Sequence, residues 1–279
     1  MSFHVLRVSN LGLKLDGREA PVLDRVSFDI LEGESMAFLG RTGSGKSMLL
    51  RALTAFFHGV PVKETKGKVL FEGQNLLTCS HSHLFDVRAT KIAYVLQNAH
   101  ELFNPHLTIR QHFDLILRHN KPKLEDRRQQ AIDYLYHVGI VDPEEIIDAR
   151  YFPEELDVRS RQKIMIASAL CCEPKILLAD EPTAEFDSVA VSILVKLLEK
   201  LKKEKGLAVV WTTSRLRRAE QFGDFIGVLD QGSLVESQEP RQLLRSREHE
   251  ATREFVDGTL VTGQKRERLV STSTDTDST

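Results

Sequence analysis

The chain has little cysteine, a single tryptophan and no long apolar run. Its three cysteines are Cys79, Cys171 and Cys172, and their spacing matches no zinc or iron–sulfur pattern. Adjacent cysteines on a predicted helix point in different directions, so Cys171 and Cys172 read as small core fillers. This thiol usage suits a reducing compartment. The histidines His81, His83, His100, His106, His112 and His119 have no regular metal spacing either. The N-terminal MSFHVLRVSN lacks the apolar core of a signal peptide. No stretch approaches the ~20 apolar residues that cross a bilayer, so any membrane role is expected to run through a partner. Charge is also nearly balanced, with 38 basic against 40 acidic residues and a net charge of −2. No local basic patch stands out, which argues against a nucleic-acid partner.

What is present is ordinary globular material. Of 279 residues, 41% are hydrophobic and 28% charged, enough for one large domain or two modest ones. Val5 to Val8 and Val26 to Ile30 read as strands. Ser35 to Leu39 runs apolar into a glycine-rich turn, and from Lys46 the pattern is helical. Lys68 to Phe71 and Ile92 to Leu96 read as further strands. From about Thr108 to Tyr151 apolar residues fall at helical spacing (Ile109, Phe113, Ile116, Leu117), followed by a charged helix. The α/β alternation then returns: a helix near Arg159 to Leu170, the strand KILLAD, a helix near Ser188 to Lys203, the strand LAVVWTT, a short helix and the strand FIGVLD. Such alternation predicts a parallel sheet covered on both faces. From about Gly263 the chain is basic, then rich in Ser, Thr and Asp, and residues 263–279 are expected to be a disordered tail.

The segment GRTGSGKS, Gly40 to Ser47, fits the phosphate-loop pattern G-x-x-x-x-G-K-[ST] in full. Gly40, Arg41, Thr42, Gly43, Ser44, Gly45, Lys46, Ser47 and Met48 are the candidate ATP-binding residues. The glycines let backbone N–H groups turn inward around an anion, and the helix that follows adds its positive end. Lys46 is expected to reach the β- and γ-phosphates, and the Ser47 hydroxyl to ligate Mg²⁺. KILLADEP then delivers Asp180 to the rim of the sheet, where it can hold the Mg²⁺ shell, and Glu181 is the candidate general base.

The order of phosphate loop, YVLQNAHELFNP, helical insert, LDVRSRQKIMIASAL and LLADEPTAEFD resembles the ATPase subunits of ABC transporters, in particular the peptide/nickel importers. The resemblance covers about residues 3 to 245. It implies an α/β fold, a P-loop NTPase core of ABC ATPase type. An N-terminal antiparallel β subdomain is expected, with a helical subdomain inserted at about residues 98–172 of a domain spanning 3–262. It implies that Gln97 contacts Mg²⁺ and the attacking water, and that Asp187 faces an opposite ATPase. The insert would dock on a transmembrane subunit. Implied partners are a second ABC ATPase subunit, two transmembrane permease subunits and a solute-binding protein. The implied place is the cytoplasmic face of the bacterial inner membrane. Some family members carry a C-terminal iron–sulfur extension; none is expected here.

Three departures from the family pattern stand out. Where the family signature has Leu-Ser-Gly-Gly, this chain has Leu156, Asp157, Val158 and Arg159, then Ser160, Arg161 and Gln162. In the family that segment grips the γ-phosphate on the partner's phosphate loop. Asp157 would bring a negative charge toward it, and Val158 and Arg159 add side chains where backbone must approach closely. The family's Thr-His-Asp is here Thr213, Ser214 and Arg215, and Ser214 is too short to reach as an imidazole would. The aromatic residue that stacks on adenine is missing, with Leu13 or Leu15 in its place, a loss on the order of 0.5–1.5 kcal/mol. The first two departures fall on different composite sites of a head-to-tail dimer, which leads to the expectation of a heterodimer with a more regular ATPase. Two functions are therefore carried forward. One is an ATPase powering uptake of a peptide or similar solute. The other is a catalytically weak nucleotide-binding regulatory subunit whose partner does most of the hydrolysis. A soluble ABC protein of ribosomes or DNA repair is disfavoured, since no second cassette or long coiled-coil insert is present.

Overall fold

The computed structural model describes residues 4–97, 103–118, 123–246 and 248–258. The expected tail at 263–279, His100 and His119 lie outside these described residues. Alternating apolar residues build the first layer. In β1 (His4–Leu15), Leu6, Val8, Leu11 and Leu13 turn inward, with Val5 also buried, while Arg7 and Asn10 between them are exposed. β1 pairs antiparallel with β2 (Leu23–Leu31) and with β4 (Val62–Phe71), and β5 (Gln74–Asn75) adds to β4. The order of this sheet is β2-β1-β4-β5.

The second sheet is read from continuous apolar runs. It contains β3 (Ser35–Leu39), β6 (Ile92–Val95), β7 (Ile176–Asp180), β8 (Ala208–Thr213), β9 (Phe225–Asp230) and β10 (Ser233–Gln238). The order is β10-β9-β3-β8-β7-β6. All pairs are parallel except β10 with β9, which closes one edge as a hairpin. Both faces are buried because the period-2 alternation serves two cores. Ala37, Leu39, Leu177, Ala179, Val209 and Trp211 face a core shared with the helices between β6 and β7. Met36, Phe38, Ile176, Leu178, Ala208 and Val210 face a core shared with the antiparallel sheet and α1 (Lys46–Leu53). Leu49, Leu50 and Leu53 of α1 are fully buried there, each worth roughly 1.5–3 kcal/mol of burial. The helix stops at Thr54 because Ala55 takes a left-handed backbone, φ 51°.

α2 (His81–Thr90), capped by Ser80, was not evident in the sequence: only Leu84 and Val87 are buried, so it lacks an apolar stripe. Between β6 and β7 run α3 (Ile109–Leu117), α4 (Leu124–His137), α5 (Pro143–Asp148) and α6 (Val158–Leu170). Thr108 and Gln111 close a capping box at the start of α3. α7 (Ser188–Lys205), α8 (Leu216–Phe222) and α9 (Pro240–Ser246) complete the crossovers. A further helix, α10, spans 250–258. Glu236 of β10 is buried and accepts from the amides of Glu248 and His249 and from the Thr252 hydroxyl, holding the start of α10. Buried Lys202 joins α7 to the sheet, donating to Ser35 Oγ at 2.9 Å, Glu199 at 2.9 Å and Asp224 at 2.8 Å.

Candidate nucleotide-binding cleft

Ligands of open α/β sheets sit beyond the carboxyl ends of the strands, and the motif residues meet there. β3 runs into the glycine-rich turn at Gly40, whose amide donates to the Thr213 carbonyl at 3.2 Å. A Cβ on Gly40 would stand 2.3 Å from Ser44 Oγ and 2.7 Å from the Leu229 carbonyl, so only glycine fits. Gly45, at φ 105°, lets the chain enter α1 while passing the Val22 carbonyl, which a Cβ would meet at 3.0 Å. The loop is pinned from the far side, the Gly232 amide donating to the Ser44 carbonyl at 2.9 Å. Ser44 Oγ is buried with no hydrogen-bond partner among the described residues.

Lys46 is buried and folds back over the loop, donating through Nζ to the Gly40 carbonyl at 2.6 Å and the Arg41 carbonyl at 3.1 Å. Its Nζ lies 3.7 Å from Glu181 Oε1. Burial pushes the Lys46 ammonium pKa down, against the pull of Glu181 and Asp180. Burial pushes the Glu181 carboxyl up, partly offset by Lys46 and by hydrogen bonds from the Ser214 hydroxyl and amide. Glu181 itself has φ 45°, an uncommon backbone for a non-glycine residue. The parallel register that sets Asp180 beside Thr212 explains how it is held. The Thr212 hydroxyl donates to Asp180 Oδ1 at 2.6 Å and accepts from the Glu181 amide at 3.1 Å.

These residues border a cleft of about 570 Å³. Thr42, Gly43, Gly45, Lys46, Ser47 and Met48 line it along the loop, and Gln97, Asp180, Glu181 and Ser214 line it opposite. Three expected residues, Gly40, Arg41 and Ser44, do not line it, and Ser44 is buried within the loop. Gly40 lies beneath the loop, and the Arg41 side chain turns away to pair with Glu254 of α10 at 2.6 Å. Leu15 reaches the cleft, whereas Leu13 is buried in the β core. The structure adds residues that had carried no role in the sequence: Arg18 and Val22 in the first hairpin, Ala184, and Thr212 beneath the carboxylates. Thr212 was hidden because strand pairing, not sequence distance, sets it against Asp180.

The donor set suits a phosphate-bearing ligand and a hard cation. Lys46, the loop amides and the positive end of α1 favour an anion. Ser47, Asp180 and Gln97 offer oxygen atoms, the ligands Mg²⁺ prefers. Among the described residues no cluster of three or more His, Cys, Asp or Glu could hold a metal ion. His112 is engaged with the Thr108 carbonyl and the Asn104 amide.

The signature-like segment lies elsewhere, against α7. Asp157 caps α6: Oδ1 accepts from the Arg159 amide at 2.9 Å and the Ser160 amide at 3.0 Å, and Oδ2 from Ser160 Oγ at 2.8 Å. Hydrogen bonds from Ser160 hold its carboxyl below the usual range. Arg159 points toward Asp187, 3.8 Å away, and Asp187 caps α7 through the Ala190 amide. The donors at the start of α6 are thus taken by the chain's own carboxylate.

Fold and site define a P-loop nucleotide-binding protein. Residues 23–184 match the model for the ABC transporter domain, more than half of the chain. The chain belongs to the ABC transporter family, as one of its ATP-hydrolysing cassettes. It is 30% identical over 270 residues to the dipeptide transport ATP-binding protein DppD of Escherichia coli, covering 96% of this chain and 82% of that one. It is 33% identical over 241 residues to the peptidoglycan transport ATP-binding protein YejF of Agrobacterium fabrum. That match covers 86% of this chain but only 44% of the relative. Among solved structures, the dimeric post-hydrolysis state of the ATP-binding cassette MJ0796 bound to ADP and Pi superposes with a TM-score of 0.74. It is 28% identical and covers 85% of this chain and 99% of that one.

Proposed function

We propose that this chain is the ATP-binding subunit of a transporter for a peptide or similar small solute, working as one half of an ATPase dimer. The observation that carries the reading is the convergence of Lys46, Asp180 and Glu181 on one phosphate-loop cleft, with Lys46 Nζ 3.7 Å from Glu181. The names of the relatives support the solute class. Lys46 and the loop amides hold the phosphates. Ser47, Asp180 and Gln97 would hold Mg²⁺, which neutralises charge on the phosphate oxygens. Glu181 accepts the proton of the attacking water, and its raised pKa makes it the stronger base. Gln97 orients that water.

No helix among the described residues is long and apolar enough to cross a membrane. The helical insert is the proposed dock for a permease, joined by a groove lined by Phe56, Arg88, Ile92, Tyr94 and Leu96, the residue before Gln97 in the chain. Arg88 is fixed there by the Thr54 and Ala55 carbonyls and stands 5.4 Å over the Phe56 ring. An apolar segment of a transmembrane subunit is the occupant we propose for it, with the chain working at the cytoplasmic face of the bacterial inner membrane.

The self-capped start of α6 supports a second reading, in which this chain binds ATP well and hydrolyses it slowly. Its partner is then a different ATPase with a regular signature. The test is Mg-ATP binding and turnover of the chain alone and with its companion ATPase. Binding without turnover alone, and turnover restored on mixing, supports the asymmetric pair. Fast turnover alone refutes the slow reading. Absence of Mg-ATP binding refutes both.

A further inference from the structure

The far end of the cleft is built without an aromatic side chain. The Lys46–Glu181 end receives the terminal phosphate under the reading above, so the base must lie toward the opposite wall. That wall is the loop between β1 and β2, which packs on the phosphate loop where the Val22 carbonyl approaches Gly45. Leu15, Arg18 and Val22 line it. Leu15 and Val22 offer only apolar surface. Arg18 is exposed and makes no ion pair or side-chain hydrogen bond among the described residues. Among the described residues lining this end, none carries a side-chain amide or carboxylate.

We infer that the Arg18 guanidinium, on the wall it shares with Leu15, is the surface on which the nucleobase stacks, and that the cleft discriminates weakly between adenine and guanine. This rests on the nucleotide reading of the cleft. A guanidinium is planar, delocalised and weakly hydrated, so it lies well on an aromatic face. Every nucleobase presents such a face, and stacking reads none of its edges. Strong discrimination between similar ligands needs polar groups that the wrong ligand leaves unpaired, and the only polar side chain on this wall among the described residues, Arg18, meets the base by its face.

The test is titration of the full chain with Mg-ATP, Mg-GTP and Mg-tripolyphosphate, the last carrying phosphates without a base. The proteins are wild type, Arg18→Ala, Arg18→Trp and Lys46→Ala. Wild type is expected to bind ATP and GTP within about threefold of one another. Arg18→Ala weakens both by roughly threefold to fivefold and leaves tripolyphosphate unchanged. Arg18→Trp recovers or tightens both nucleotides. The proposal is overturned if Arg18→Ala changes nothing, if it weakens tripolyphosphate equally, or if wild type prefers ATP by more than about fiftyfold. An Arg18→Trp variant that binds no better than Arg18→Ala also overturns it. If Lys46→Ala binds all three ligands as wild type does, the nucleotide reading itself falls and takes this inference with it.

Discussion

Replacing Asp157 by alanine removes three hydrogen bonds at once, at 2.9, 3.0 and 2.8 Å, and leaves the first amides of α6 without a side-chain partner. The rest of α6 is held by Ile164, Met165, Ile166, Ala167 and Leu170 in the core, so the helix frays at its start and does not melt. Loss of an N-cap costs about 1 kcal/mol, and loss of an anion at a helix N-terminus up to about 1 more. A total of about 1–2 kcal/mol lowers the melting temperature by roughly 2–8 °C for a chain of this size. The pH dependence follows from the depressed carboxyl of Asp157. Such a group adds stability that is complete above its unfolded pKa, about 4, and is lost as pH falls through its lower folded value. Urea unfolding should therefore show the full gap at pH 7 and pH 5 and a smaller one near pH 3. Asp157→Ser keeps a capping oxygen but loses the anion, and should cost no more than about 1 kcal/mol. With the companion ATPase present, it should raise turnover, because it removes the charge facing a phosphate. An Asp157→Ala protein as stable as wild type at pH 7, or a gap undiminished at pH 3, would refute the capping argument.

Glu181→Gln should lower single-turnover hydrolysis by roughly 10²- to 10⁴-fold while Mg-ATP binding persists, as measured by titration. In the wild type the base must be unprotonated. Turnover should thus fall on acidification through a pKa above the ordinary carboxylate range, and a pH–rate profile flat down to pH 4 would oppose the assignment. Thr212→Val removes the donor to buried Asp180 and should cost about 1–3 kcal/mol by urea unfolding, with turnover reduced as well. A variant with unchanged stability would mean that Asp180 finds another partner.

Legibility from sequence followed the range of the forces involved. The strand Ser35–Leu39 emerged with its observed ends because a continuous apolar run meets a glycine-rich turn. β7, β8 and β9 likewise announced themselves as buried apolar runs. β4 was only half visible: its leading residues VKETKGK are mostly exposed and carry no alternation. They are strand because β1 supplies their hydrogen-bonding edge. β10 is an edge strand with mixed burial, equally silent in periodicity. In the cleft, the phosphate loop is local chemistry and could be read at once, but the aim of each side chain could not. Arg41 belongs to the motif and yet pairs with Glu254.

The sequence by itself determined the α/β alternation, the phosphate loop from Gly40 to Ser47, the acidic end of β7 and the departures at Asp157 and Ser214. All are contiguous patterns whose physics acts within a few residues. Only the tertiary structure decided that Thr212 braces Asp180 and the Glu181 amide, that Asp157 spends its carboxylate on its own helix, and that Arg18 walls the far end of the cleft. These depend on strand register, on which donors lie within reach of a folded carboxylate, and on the packing of one hairpin against the Gly45 turn. The Thr212 and Arg18 contacts join residues far apart in the chain, which no local pattern encodes; the Asp157 cap reaches only two and three residues along, and there the fold decided that the carboxylate turns back on α6.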